Sequence, residues 1–157
     1  MDRSSAHVFR NAVAITTVFL LLDRGTKIVF AKNDFSFFLF HPAFLRFVHH
    51  ENHGIIANIP IPQIIIILVT FFLLLIVLGL LVRAVHQKKM RAVSFLSLLC
   101  AGALGNFWDR VAHGVVFDWI LVFNRSAINI ADICIIVGLI GFLLQKEHAP
   151  QSVDTTH

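Results

Sequence analysis

The chain has 157 residues, of which 57% are hydrophobic and only 14% charged, with a formal net charge of +4 and a mean hydropathy of +0.81. A soluble domain carries roughly 25% charged residues, and a chain this short has too little interior to hide so much apolar side chain. Composition therefore excludes an ordinary soluble domain and sets much of the surface against lipid, and the few basic residues have a simpler use than binding nucleic acid.

The first apolar stretch, about 8–31, follows Arg3 and Arg10 and is interrupted by Asp23 and Lys27. A cleavable signal peptide would end in small residues, whereas Asp23-Arg24-Gly25-Thr26-Lys27 stands there, so a retained span is expected. A longer connection, about 32–60, holds Phe35-Ser36-Phe37-Phe38-Leu39-Phe40 and Phe44-Leu45-Arg46-Phe47-Val48, both rich in strand formers, with Pro42 between them. A small sheet on the membrane surface is expected from it. The same connection contains His49-His50-Glu51-Asn52-His53. A helical zinc-peptidase motif needs Glu directly after the first His, and here it comes two places on, so the segment reads as a polar outer loop.

The second apolar stretch, about 61–82, carries no charge after Ile64. Arg83, Lys88, Lys89 and Arg91 follow without an acid before the third stretch, about 92–108. At its far end come Asn106, Asp109 and Arg110. A connection too apolar for a plain loop, 111–125, turns at Gly114 and contains Asp118 in a stretch expected to be extended and to lie back against the helices. The fourth apolar stretch, about 127–144, has Asn129 and Asp132 near its start. A bilayer core asks for about 20 apolar residues per helix, which makes these four candidate spans. Cys100 and Cys134 sit inside apolar runs and read as small buried hydrophobes. A single membrane-embedded domain over 1–148 and a polar tail over 149–157 complete the outline.

With four spans, Arg3 and Arg10, the 83–91 cluster and Lys146 all fall on one side, which the positive-inside rule makes cytoplasmic. The polar groups within the spans then gather at one depth near the outer face. Ionisable groups at membrane depth are costly and mark function. Some have support roles open to them: Asp109 with Arg110 as an ion pair at a helix end, Asp23 with Lys27 as an i, i+4 pair, Asn129 as a helix cap. Asp118 and Asp132 have no cation beside them in sequence. Two carboxylates brought together share one proton, so that one acts as base towards water while the other donates to a carbonyl oxygen.

The run Gly102-Ala103-Leu104-Gly105-Asn106-Phe107-Trp108-Asp109-Arg110, followed by Gly114-Val115-Val116-Phe117-Asp118 and by Asn129-Ile130-Ala131-Asp132, resembles the central signature of the lipoprotein signal peptidase (type II signal peptidase) family. Asp23 with Lys27, and Asn52-His53-Gly54, match two further family motifs. The resemblance implies a membrane fold, mainly α, of four transmembrane helices with a small extracytoplasmic β-rich subdomain between spans one and two. It implies an aspartic endopeptidase that cleaves diacylglyceryl-modified prolipoproteins before the lipidated cysteine, without metal or organic cofactor. Asp118 and Asp132 become the catalytic pair. Asn106 and Asn129 hold the pair and the substrate, and Asp23, Lys27, Asn52, Gly54, Asp109 and Arg110 take binding or structural roles. The expected partners are lipidated prolipoproteins and the phospholipid bilayer, with no nucleic acid. The expected setting is the bacterial inner membrane, as a monomer with both termini cytoplasmic and the site near the outer face.

The chain departs from the family pattern at Ile55-Ile56-Ala57-Asn58, where small residues and an aromatic are usual, at Trp119 in place of Phe, and at Ile128. Two other readings compete. A proton-relaying transporter or assembly factor needs polar groups continuing inward, and below the outer cluster spans two and four offer only Thr70 and small residues. An inactive lipid-binding homologue is favoured only by the altered 55–58 run and opposed by the intact acids.

Overall fold

A computed structural model describes residues 3–32, 45–54 and 61–145. The elements in order are α1 (Arg3–Lys32), β1 (Leu45–Asn52), α2 (Gln63–His86), α3 (Met90–His113), β2 (Val116–Val122), β3 (Ser126–Ile128) and α4 (Ile130–Leu144). Three of the helices, α1, α2 and α3, are long and apolar enough to cross a membrane. The fourth, α4, has 15 residues and is shorter than the ~20 a bilayer core asks for.

Three of the helices, α1, α2 and α3, run longer than the expected stretches. Instead of stopping near residue 108, α3 continues to His113 because Asp109 is buried and paired. It ends at Gly114, whose φ of +73° suits glycine and whose N–H donates to the Arg110 carbonyl at 3.1 Å. The α2–α3 turn is only Gln87-Lys88-Lys89, so Arg83 and Arg91 belong to helix ends. In it the Lys89 N–H donates back to the Ala84 carbonyl at 3.0 Å. The fourth helix starts later than expected, because 126–128 is a strand.

At the centre of the bundle, α3 packs against α1, α2 and α4. Glycines permit the closest approach. A Cβ on Gly138 would stand 2.6 Å from the Leu99 amide nitrogen, and one on Gly102 would run into the Ala131 carbonyl oxygen and Ile135. One end of the bundle has an apolar core of Val8, Ala12, Ala84, Ala92, Val93 and Leu96. The other end holds the buried polar groups. Outward-facing Leu, Ile, Val and Phe remain exposed along α2, including Ile64, Phe72, Leu73 and Ile76. In water such a surface would be unfavourable, and it is the surface a lipid-facing helix presents.

The sheet corrects one expectation. It is not contained between the first two spans: its order is β1-β2-β3, all antiparallel, so two of the three described strands come from the connection between α3 and α4. A strand alone cannot satisfy its backbone groups, and β1 finds its partner in β2, with Leu45 opposite Val122 and Asn52 opposite Val116. The 35–40 run lies outside the described residues. The extended stretch expected around 115–123 is β2. Trp119 on β2 stacks flat on Phe30 of α1, with ring centroids 4.3 Å apart and planes 3° apart, and also meets Phe47 of β1 at 5.6 Å. That aromatic contact seats the sheet on the end of α1.

Candidate active site

Asn129 organises the site. It is fully buried and is the N-cap of α4, where its side-chain oxygen accepts from the Asp132 amide at 2.9 Å while the Asp132 carboxylate accepts from the Asn129 amide at 3.2 Å. This reciprocal capping box satisfies two amides of the first helical turn. The Asn129 Nδ2 then donates to Asp118 Oδ1 at 2.6 Å. One asparagine therefore holds both acids, Asp118 from β2 and Asp132 from α4.

Each acid has a second asparagine. Asn106 on α3 donates to Asp132 Oδ1 at 2.7 Å, and Asn52 at the end of β1 donates to Asp118 Oδ2 at 3.0 Å. Asn52 reaches Asp118 because residues two apart on a strand share a face: His50 is the residue directly opposite Asp118, and Asn52 is two further on. The Asn52 oxygen meanwhile accepts from the Gly54 amide at 3.1 Å, which fixes which end of the amide faces the acid. Asp118 is only 2% exposed. Burial pushes its carboxyl up to about 7, the charge of Asp132 adds to the rise, and the N–H donors of Asn52 and Asn129 oppose it.

Beneath the pair lies a second polar layer. Lys27 Nζ is 2.9 Å from Asp23 Oδ2, 2.8 Å from Asp109 Oδ2 and 3.0 Å from Asn106 Oδ1. Because Lys27 takes the Asn106 oxygen, Asn106 must turn its NH2 towards Asp132. The free oxygen of Asp23 accepts from the Ala131 amide of α4 at 3.1 Å. Arg24 completes the layer, donating to Asp109 Oδ1 at 2.6 Å, to Asp23 Oδ2 at 3.0 Å and to the Gly105 carbonyl at 3.0 Å. Gly105 is required here, since a Cβ on it would stand 2.7 Å from Asp23 Oδ2.

All ten residues singled out in the sequence fall into this one network. The Asp23–Lys27 pair and the Asn129 cap are as expected. The Asp109–Arg110 ion pair is not formed: Asp109 pairs with Arg24 and Lys27 of α1, while Arg110 Nη2 donates to the Gly54 carbonyl at 2.9 Å. Successive helix residues point about 100° apart, so neighbours in sequence face different partners. Arg24 was not among the expected site residues. Its only signal was a third charge beside the Asp23–Lys27 pair within an apolar stretch.

Other residues stay apart. The His49 and His53 rings lie 3.7 and 3.8 Å from Glu51, on exposed side chains. Among the described residues no three His, Cys, Asp or Glu are grouped so as to hold a metal ion. Cys100 and Cys134 are buried free thiols. Ile128 pairs with Ile120 in the sheet, and the 55–58 run lies outside the described residues.

Comparison with known proteins identifies the family. Residues 15–146 match the family model described as signal peptidase (SPase) II. The chain is 34% identical over 140 residues to the lipoprotein signal peptidase of Staphylococcus carnosus (strain TM300), covering 83% of this chain and 86% of that protein. It is 31% identical over 140 residues to that of Staphylococcus aureus (strain MRSA252), covering 85% of each. Two solved structures, described as bacterial membrane enzyme structures by the in meso method at 2.3 and 1.9 Å resolution, are each 30% identical to it, with TM-scores of 0.70 and 0.68 over 84% of this chain. The chain belongs to the signal peptidase II family of membrane peptidases.

Proposed function

We propose that this chain is an aspartic endopeptidase that removes the signal peptide from diacylglyceryl-modified prolipoproteins, cleaving before the lipidated cysteine, with Asp118 and Asp132 as its catalytic pair. The observation that carries the assignment is the single buried asparagine, Asn129, bonded to both carboxylates. A carboxyl raised to about 7 beside a second acid suits a pair that holds one proton near neutral pH.

Hydrolysis proceeds in two proton-coupled steps. The ionised carboxylate takes a proton from a water molecule as its oxygen attacks the scissile carbonyl carbon. The protonated carboxyl gives its proton to the carbonyl oxygen, forming a gem-diol. In the second step a proton passes to the amide nitrogen, the C–N bond breaks, and a carboxylic acid and an amine leave. Asn52, Asn106 and Asn129 keep the two carboxyls oriented through both steps. Arg110 steadies the strand end that carries Asn52 by holding the Gly54 carbonyl.

The setting follows from the substrate. A diacylated peptide stays in the bilayer, so the scissile bond must be met at the lipid boundary, where α4 begins. The short α4 supports a fourth pass that starts at the depth of the site, with the sheet on the outer side. Both termini are then cytoplasmic, the membrane is the bacterial inner membrane, and one chain, a single membrane-embedded domain with a polar tail, carries a complete site as a monomer.

The test is a gel-shift cleavage assay on a diacylglyceryl-modified prolipoprotein with the purified protein in detergent, beside Asp118→Asn and Asp132→Asn. The parent should cleave, and both variants should fail while remaining folded. A folded parent that cleaves none of several lipidated substrates, or a variant that still cleaves, overturns the assignment.

A further inference from the structure

We infer that Arg24 is a positioning residue for the reaction, acting on Asp132 through Asp23 and the first turn of α4. The inference rests on the reading of Asp118 and Asp132 as the catalytic pair. Its structural basis is a chain of contacts. Arg24 spans α1 and α3 by donating to Asp109 Oδ1 at 2.6 Å and to the Gly105 carbonyl at 3.0 Å. The same Nη2 also holds Asp23 Oδ2 at 3.0 Å, and the other oxygen of Asp23 accepts from the Ala131 amide at 3.1 Å. Ala131 immediately precedes Asp132, so a carboxylate of α1 shares with Asn129 the capping of the turn that carries one of the two acids.

Charge makes Arg24 more than a strut. Asp23 and Asp109 are fully buried. Lys27 touches both, and without Arg24 it would be, among the described residues, the one cation facing two carboxylates across this layer. Arg24 makes the group neutral: two acids, one ammonium and one guanidinium. The charged groups that bear on the catalytic pair are then Asp23, Arg24 and Lys27 from α1, Asp109 and Arg110 from α3, and the acids themselves on β2 and α4. Removing Arg24 leaves one uncompensated negative charge next to the pair and releases Asp23 from one of its anchors. A planar fork serves three acceptors on two helices at once, which a lysine ammonium cannot reproduce from the same position.

Arg24→Gln and Arg24→Lys test this in the detergent-purified protein on a diacylglyceryl-modified prolipoprotein, with kcat, KM and the pH profile measured per folded molecule. For Arg24→Gln we expect kcat to fall roughly 10- to 100-fold with KM within about twofold, the pattern of a displaced catalytic group. The acid limb of its profile should move to higher pH by about half a unit or more, because loss of a positive charge makes the pair harder to ionise. Arg24→Lys keeps the charge and loses the fork, so its pH profile should return to that of the parent while kcat stays low. A merely structural residue would lower thermal stability and leave kcat per folded molecule and the pH profile unchanged, and that result overturns the inference. So does a change confined to KM. Asp118→Asn and Asp132→Asn in the same assay separate the two readings: if either still cleaves, the catalytic assignment fails whatever Arg24 does.

Discussion

Gly102→Ala probes how tightly the site depends on the α3–α4 contact. A methyl at residue 102 would collide with the Ala131 carbonyl oxygen and stand 2.9 Å from Ile135 Cγ1 and 3.1 Å from the Ile135 amide nitrogen. Two of these three atoms are backbone, so a side-chain rotation cannot relieve the clash and α4 must move outward by roughly 1 Å. Overpacking of this kind costs about 1–3 kcal/mol. The moved segment holds Ala131, whose amide is bound by Asp23, and Asp132 itself. A displacement near 1 Å at a reacting group costs on the order of 10²-fold in rate. Gly138→Ala is the comparison. It clashes with backbone in the same helix pair, at 2.6 Å from the Leu99 nitrogen and 2.7 Å from the Phe95 oxygen, but lies about two turns further along α4 from Asp132. Thermal unfolding in detergent and the prolipoprotein cleavage assay should show both variants losing stability and Gly102→Ala losing far more kcat. If Gly102→Ala cleaves at the parent rate, or if both variants lose activity equally, the claim that this contact sets the position of Asp132 is wrong.

Asp118 predicts a pH-dependent stability. Its carboxyl is near 3.8 in an unfolded chain and about 7 when folded, so the folded state binds the proton more tightly and stability falls as pH rises from about 4 through about 7. The cost is on the order of 4 kcal/mol when fully developed, and melting curves at pH 5 and pH 8 should show a drop for the parent that is smaller in Asp118→Asn. Parallel curves for the two proteins would refute it. Lys27→Met should destabilise by about 3–5 kcal/mol, since Lys27 is 3% exposed and its loss leaves two buried carboxylates sharing Arg24. Adding Asp109→Asn should restore part of that stability in a double-mutant cycle, and strict additivity of the two losses would argue that the pair does not interact.

The fold class was legible in the sequence because the bilayer sets a simple rule. An apolar run of the right length has to satisfy its own backbone, and a helix does so locally. That reasoning found each of the described helices, along with the turn at Gly114 and the cap at Asn129, which depend on residues within a few positions of one another. The pairing of Asp23 with Lys27 was legible for the same reason. The sheet was only half legible: the strand content of 45–52 showed in its composition, but its partner lies in a different connection, 64 to 77 residues away, and no local signal names a strand's neighbour.

Sequence by itself picked out the polar side chains that are costly near one membrane face, Asp118 and Asp132 among them, as candidates for a site. Tertiary structure alone decided who holds whom. It sends Asp109 to α1 and not to Arg110, uses Asn129 to join the two acids, fixes the Asn106 amide through Lys27, and brings Arg24 into the layer beneath them. These are contacts between helices and strands that are distant in the chain, set by glycine-mediated packing and by the requirement that each buried charge find an opposite one.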